Sequence, residues 1–148
     1  MTEKVAPWTL TIASDLRMLA TARGFIEAVC QAAGFDEPTV HAIVLAADEA
    51  VNNVIRHAHQ GRPDAVVQIQ CFLRPDAIEI RLIDQGEPFD IAAVPHLDPG
   101  ELRVGGRGVF LMRSLMDELS CQPRGEGGNT LRMVKCHGPR PEAVAAHA

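Results

Sequence analysis

No apolar run in this sequence approaches the ~18 uninterrupted residues of a transmembrane helix. Its start, Met1-Thr-Glu-Lys-Val-Ala-Pro-Trp8, has no apolar signal-peptide core. Neither a membrane span nor secretion is expected, and the expected location is cytoplasmic. Basic residues are in deficit, with 14 Lys and Arg against 19 Asp and Glu and a net charge of -5. Nonspecific nucleic-acid binding rests on clustered cations, so no direct nucleic-acid partner is expected. The cysteines Cys30, Cys71, Cys121 and Cys136 form no Cys-x-x-Cys pair and have no His at zinc-finger spacing. They read as small core residues rather than a metal cage or redox pair. A Walker A loop is missing, and a dinucleotide G-x-G-x-x-G would need a glycine where Leu111 stands. There is no internal repeat.

What is present is enough apolar material for one continuous core: 47% of the 148 residues are hydrophobic and 22% are charged. Residues 1–136 are expected to form a single domain and 137–148, with Pro139, Pro141 and an Ala-rich end, a flexible tail. Trp8 to Ala13 reads as a first strand, and Ser14 as the N-cap of a helix from about Asp15 to Ala33 that Gly34 stops. Asp36-Glu37-Pro38 marks a second helix start, with helical periodicity running to about His59. The period then changes to two. Val67, Ile69, Cys71 and Leu73 alternate with less apolar neighbours, Arg74-Pro75-Asp76 turns, and Ile78, Ile80 and Leu82 follow, which predicts a hairpin. Residues 85–108 hold much of the Gly and Pro, and a loop of about two dozen residues in a compact domain is usually functional, so a lid is expected. Helical spacing returns from Gly108 to Leu119, and Ser120 to Gln122 is expected to pair with Thr130 to Cys136 across Arg124-Gly-Glu-Gly-Gly. Helices and hairpins grouped in this order imply an α/β (α+β) two-layer sandwich, its mostly antiparallel sheet covered on one face by helices.

Chemistry concentrates at three places. On the second helix Val40, Val44, Ala47, Val51, Val54 and Ala58 converge on one side and Glu49 lies opposite, flanked by Asn52, Asn53 and Arg56. Two interior asparagines each cost roughly 0.5 kcal/mol of helix propensity against Ala. Such a face is either plainly solvated or a carboxylate and an amide oxygen one turn apart aimed at one ligand, a set that suits Mg²⁺ with phosphates. Asp84 closes an apolar strand ahead of Gly86. That pair is either turn chemistry or an acceptor for an exocyclic amine beside a glycine that admits a ligand. Gly105-Gly106-Arg107-Gly108 opens the third helix, where it is either a flexible hinge or a phosphate site at free helix N–H groups.

The run Asp48-Glu-Ala-Val-Asn-Asn-Val-Ile-Arg-His57 resembles the N box of the ATPase superfamily shared by gyrase, histidine kinases and MutL. Ile83-Asp-Gln-Gly-Glu-Pro-Phe-Asp90, Gly105-Gly-Arg-Gly-Val-Phe-Leu-Met-Arg-Ser-Leu-Met-Asp117 and Gly128-Asn-Thr-Leu-Arg-Met-Val-Lys135 resemble the branch of bacterial anti-sigma factors that are serine-protein kinases. The resemblance covers about Leu10 to Lys135. It implies a Bergerat-type ATP-binding fold with ATP and Mg²⁺ as cofactors. Glu49 would be the catalytic base, Asn53 the Mg²⁺ ligand, Asp84 the reader of the adenine amine, and Gly86 the residue that gives the base room. Thr130 would support the Asp84 contact. Gly106 and Gly108 would hold phosphate oxygens, with Phe89, Gly105, Arg107 and Val109 completing the ATP site. Pro88 stands where the wider superfamily has a second glycine, and Asn52 where a threonine is common in the branch. The implied activity is phosphorylation of a serine on a small antagonist protein, with a sigma factor or other regulated protein as second partner and a homodimer as the assembly. The alternative is a nucleotide-gated binding module with negligible phosphoryl transfer.

Overall fold

A computed structural model describes residues 6–59, 62, 64–86, 107–124 and 127–138. Strand β1 is Trp8–Ala13. A 3₁₀ turn, Leu16–Met18, leads into α1, Leu19–Ala32. The expected cap at Ser14 is displaced by one residue: extended Asp15 accepts the Arg17 N–H, and Ser14 turns inward, 5% exposed. Helix α1 ends as its sequence dictates. Gly34 takes φ 86°, and the Gly34 and Phe35 N–H groups return to Gln31 and Cys30 carbonyls, closing a Schellman-type cap.

Helix α2, Glu37–Asn53, starts at Asp36, whose carboxylate accepts the Thr39 N–H, with Pro38 in the first turn where it loses no bond. Its last turn widens into a π turn over Val54–Ala58, closed by the His59 N–H on the Val54 carbonyl. Strands β2 (Val66–Leu73) and β3 (Ala77–Ile83) form the expected hairpin. Helix α3 covers Arg107–Leu115, shorter than the spacing predicted, because Leu119 belongs to strand β4, Glu118–Pro123. There Lys135 Nζ donates to the Leu115 carbonyl, and Asp117 accepts the Cys136 N–H, so the helix end is capped by strand β5, Asn129–Cys136.

The sheet has five strands in the order β1-β2-β3-β5-β4, and every described pairing is antiparallel. On one face Val67, Ile69, Cys71, Ile78, Ile80, Leu82 and Met133 meet Ile26, Val29, Ile43, Ala47, Val51 and Met112 of the helices in one core. Helix α2 packs against both α1 and α3. Its buried stripe is Val40, Ile43, Ala46, Ala47, Ala50 and Val51, with Val44 only half-buried. Cys30 and Cys71 are core residues, as expected, and burial pushes both thiols up to about 12. Cys121 and Cys136 are half-buried.

The opposite face carries a polar cluster that alternation alone does not announce. Glu79 is 3% exposed, and it accepts from Arg81 Nε at 2.6 Å and Arg132 Nε at 2.8 Å, with Arg74 at 3.7 Å. Arg81 also lies over the Phe72 ring, 4.6 Å from its centroid. Burial pushes the Glu79 carboxyl up, but the hydrogen bonds and charges of Arg132 and Arg81 outweigh it and hold the group below its ordinary value.

A carboxylate with a depressed folded value contributes stability that is present above its unfolded value of 4.5 and is lost as pH falls through the folded one. Glu79→Gln should therefore lower stability at neutral pH by about 1–3 kcal/mol. It should also shrink the loss of stability below pH 4.5. Urea melts of both proteins across that range check this; parallel pH curves would remove Glu79 from the acid response.

Candidate functional site

Glu49 and Asn53 stand one helical turn apart on α2, half-buried, so their side chains point the same way. The first turn of α3 meets them. A Cβ added to Gly108 would lie 2.9 Å from Asn53 Nδ2 and 3.1 Å from Glu49 Oε2. The face of α2 that could have been merely solvated is therefore covered at this point by the N-terminal turn of α3, whose leading N–H groups have no intrahelical partner. A carboxylate, an amide and the positive end of a helix share one small space, an arrangement suited to phosphate oxygens and a hard cation. Asn52, the other polar candidate, is engaged elsewhere: its Oδ1 accepts Arg56 Nε at 2.9 Å.

Asp84 is 2% exposed at the exit of β3. Its Oδ1 accepts the Gly86 N–H at 2.8 Å and Asn129 Nδ2 at 3.2 Å. The turn and the ligand readings of Asp-x-Gly are thus compatible, since one oxygen closes the turn and Oδ2 takes no hydrogen bond from a described residue. The Asp84 and Asn129 backbones exchange both of their bonds, at 3.0 and 3.3 Å, which continues the β3–β5 ladder by one pair. Asp84 consequently shares the helix-facing side of the sheet with Leu82 and Leu131.

The same register corrects one expectation. Thr130 pairs with Ile83, one residue out of phase with Asp84, and faces the other side of the sheet. The support expected from Thr130 comes from Asn129. Gly128 is also part of the construction: it has φ +90°, and a Cβ there would collide with the Asp84 carbonyl oxygen and lie 2.7 Å from Gln85 Cα. Gly127-Gly-Asn129 reads in sequence only as a turn, so nothing local signalled either contact. Val109 is 2% exposed within the core, so any part it takes in the site is through its backbone. Arg107 opens α3. Phe89, Gly105, Gly106 and residues 87–106 of the lid expected over 85–108 lie outside the described residues.

A further pair has no local signal in the sequence. His59, fully buried, places Nδ1 2.7 Å from Ser14 Oγ and accepts the Gln85 N–H on Nε2 at 3.3 Å. Among the described residues no three His, Cys, Asp or Glu are grouped as a metal cage, and no helix is long and apolar enough to cross a membrane.

Gly128→Ala should destabilise the fold by about 1–3 kcal/mol, because it combines a left-handed φ with a backbone collision. Gly127→Ala, with φ +92° but open space around it, should do so less. Thermal melts of the two variants test the difference, and equal losses would remove the contact with Asp84 from the explanation.

The profile of the histidine kinase-like ATPase domain matches residues 12–135. The chain is 28% identical over 119 residues to the serine-protein kinase RsbW of Listeria monocytogenes, covering 75% of this chain and 76% of that one. With RsbW of Staphylococcus epidermidis it shares 39% identity over 100 residues, 62% of each chain. Among solved structures, the RsbU and RsbW domains of a Mycobacterium tuberculosis protein superpose with a TM-score of 0.62 at 17% identity. That match covers 88% of this chain and 32% of that one, and is a likeness of fold. The blue-light activated histidine kinase of Erythrobacter litoralis gives 0.51 at 22% identity, over 88% of this chain and 42% of that one. With an Asp84 cradle on the sheet and a helix N-terminus closing on Glu49 and Asn53, the chain belongs to the histidine kinase-like ATPase domain family.

Proposed function

We propose that the chain is an ATP-dependent serine-protein kinase and partner-switching regulator of the anti-sigma type. It phosphorylates a serine on a small antagonist protein and holds or releases a sigma factor or similar protein accordingly. The observation that carries this is the convergence of Glu49, Asn53 and the α3 N-terminus at Gly108. Residues 1–136 are read as the kinase domain, working in the cytoplasm as a homodimer.

Each residue has one task. Asp84 accepts the adenine amine on the oxygen that the turn leaves over. Asn53 would hold Mg²⁺ through its amide oxygen, and the ion when bound would supply neutralisation of phosphate charge. The α3 amides, with the glycines of 105–108, receive the phosphate oxygens. Glu49 accepts the proton of the acceptor serine. The serine oxygen then bonds to the γ-phosphorus, the bond to the β-phosphate oxygen breaks, and ADP leaves with that electron pair. Such a reaction needs positioning and charge stabilisation more than covalent help from the protein.

Incubation with MgATP and the candidate antagonist, followed by mass spectrometry, should find a single phosphoserine on the antagonist. Glu49→Ala should bind ATP within about threefold of the parent yet lose at least about 10²-fold in transfer, the usual worth of a positioned base. Asn53→Ala should instead weaken the magnesium dependence of binding. Complex formation that needs ATP but transfers no phosphate would replace the kinase with a nucleotide-gated binding module.

Gly108→Ala provides a separate check on the geometry. The atoms its methyl would meet are the ends of flexible side chains, so the fold should survive within about 1 kcal/mol. Glu49 and Asn53 must move to make room, and transfer should fall by about 10²-fold, the scale of a displacement near 1 Å. A full rate in a folded Gly108→Ala protein would remove the convergence as the basis of the site.

A further inference from the structure

The Ser14–His59 pair is buried where three segments meet, and the proposed transfer gives it no task. Ser14 follows β1 and is tied through its N–H to the Ala65 carbonyl at 2.9 Å. His59 leaves the π turn after α2. Gln85, whose N–H the imidazole accepts, sits between Asp84 and Gly86. A backbone N–H can only donate, so Nε2 carries no proton. In the neutral ring the proton is then on Nδ1, and it is donated to Ser14 Oγ. The Gln85 N–H therefore selects the tautomer, and Ser14 supports it by accepting the Nδ1 proton.

The bond falls on the one peptide unit whose orientation matters most. The Asp84–Gln85 peptide is held by its carbonyl, which accepts Asn129 N–H and Arg124 Nη1, both at 3.3 Å. It is held by its N–H through His59. The following carbonyl, that of Gln85, accepts Arg62 Nη2 at 3.3 Å. β5 and the segment after α2 thus grip opposite polar ends of the peptide that carries the Asp84 side chain.

We propose that His59 is a positioning residue for adenine recognition: its neutral ring, anchored through Nδ1 on Ser14, fixes the Asp84–Gln85 peptide and so aims the Asp84 carboxylate. This rests on the reading that Asp84 accepts the adenine amine. It also gives α2 a second role, since the helix that carries Glu49 and Asn53 ends in the residue that sets the base-reading loop.

The charged groups that act on the ring agree with a neutral imidazole. Burial pushes His59 below its ordinary value of 6.5; the Asp84 carboxylate pulls it up and the Arg62 guanidinium pushes it down, and the net shift is downward. Above 6.5 the ring is neutral in both folded and unfolded chains. As pH falls through the lower folded value, Nε2 gains a proton and faces the Gln85 N–H donor to donor. Adenine preference should be lost on that acidic side.

The experiment is calorimetry of ATP and GTP on the full chain across about pH 5 to 8, the span in which an imidazole changes charge. Thermal melts of every variant are run alongside. The ATP/GTP affinity ratio is the readout, because titration of the shared triphosphate cancels in it and a general loss of folding lowers both terms together. In the parent the ratio should fall on acidification. Ser14→Ala, outside the residues assigned to the nucleotide, should lower it about tenfold at neutral pH, the worth of one buried hydrogen bond. His59→Phe should lower it at every pH. His59→Gln, whose amide oxygen can accept the Gln85 N–H and does not titrate, should restore most of the ratio and remove its pH dependence.

Should the variants fail to fold, imidazole NMR of the parent decides: linkage requires that bound ATP lower the His59 pKa, and an unmoved value overturns the proposal. A parent that prefers ATP, with a ratio unchanged in Ser14→Ala and His59→Phe, overturns the role of His59 alone. A parent with no preference for ATP overturns the reading of Asp84 on which it stands.

Discussion

The antiparallel ladder between β3 and β5 is the constraint on which the site depends. It runs from Ala77 opposite Cys136 to Ile83 opposite Thr130, and is extended by the Asp84–Asn129 backbone exchange. Because strand side chains alternate, that register alone decides that Asp84 and Asn129 turn toward the helices while Thr130 turns away. A slip of one residue would put Asp84 on the far face, beside the arginines that surround Glu79, and the acceptor proposed for the nucleobase would be gone. Gly128 keeps the ladder closed at this end, since only a residue without a Cβ can pass so close to the Asp84 carbonyl.

Helix α2 is the second fixed element, and it acts through both faces. Its buried stripe, from Val40 to Val51, binds it to the sheet, α1 and α3, so the opposite face is presented from a rigid support. Glu49 and Asn53 on that face meet Gly108 because α3 approaches there without a side chain in the way. The widened turn at its end delivers His59 beneath the loop after β3. A continuous element of 17 residues plus one π turn thus reaches both the Glu49–Asn53 pair and the loop after β3. The two halves of the proposed nucleotide site share a support.

Charge is distributed to match. The chain is acidic overall, at -5, so its net charge does not draw a nucleotide in, and the proposed anion binding rests on local dipoles at the start of α3. The arginines Arg74, Arg81 and Arg132 are occupied with Glu79 on the far side of the sheet. They hold the outer face of β3 and β5, away from the helices.

The sequence by itself determined much of what is set within about one helical turn or one strand period. The Asp36 cap on Thr39, the left-handed Gly34, the β2–β3 hairpin, the apolar stripe of α2 and the one-turn spacing of Glu49 and Asn53 are all local, and periodicity with turn chemistry reveals them. Tertiary structure decided the rest, for a physical reason. Ser14 meets His59 across 45 residues, and Asn129 meets Asp84 across 45. A serine before a helix is an adequate cap on local grounds, and Gly-Gly-Asn an adequate turn. Each was reassigned when the packed sheet gave its side chain or backbone a partner worth more than the local bond. Helix α3 likewise stops before its apolar period does, because β5 offers Leu119 a strand partner and Lys135 a helix end to cap. Local propensity proposes an element; long-range hydrogen bonds in a desolvated interior decide where it ends and which polar groups it aims at the site.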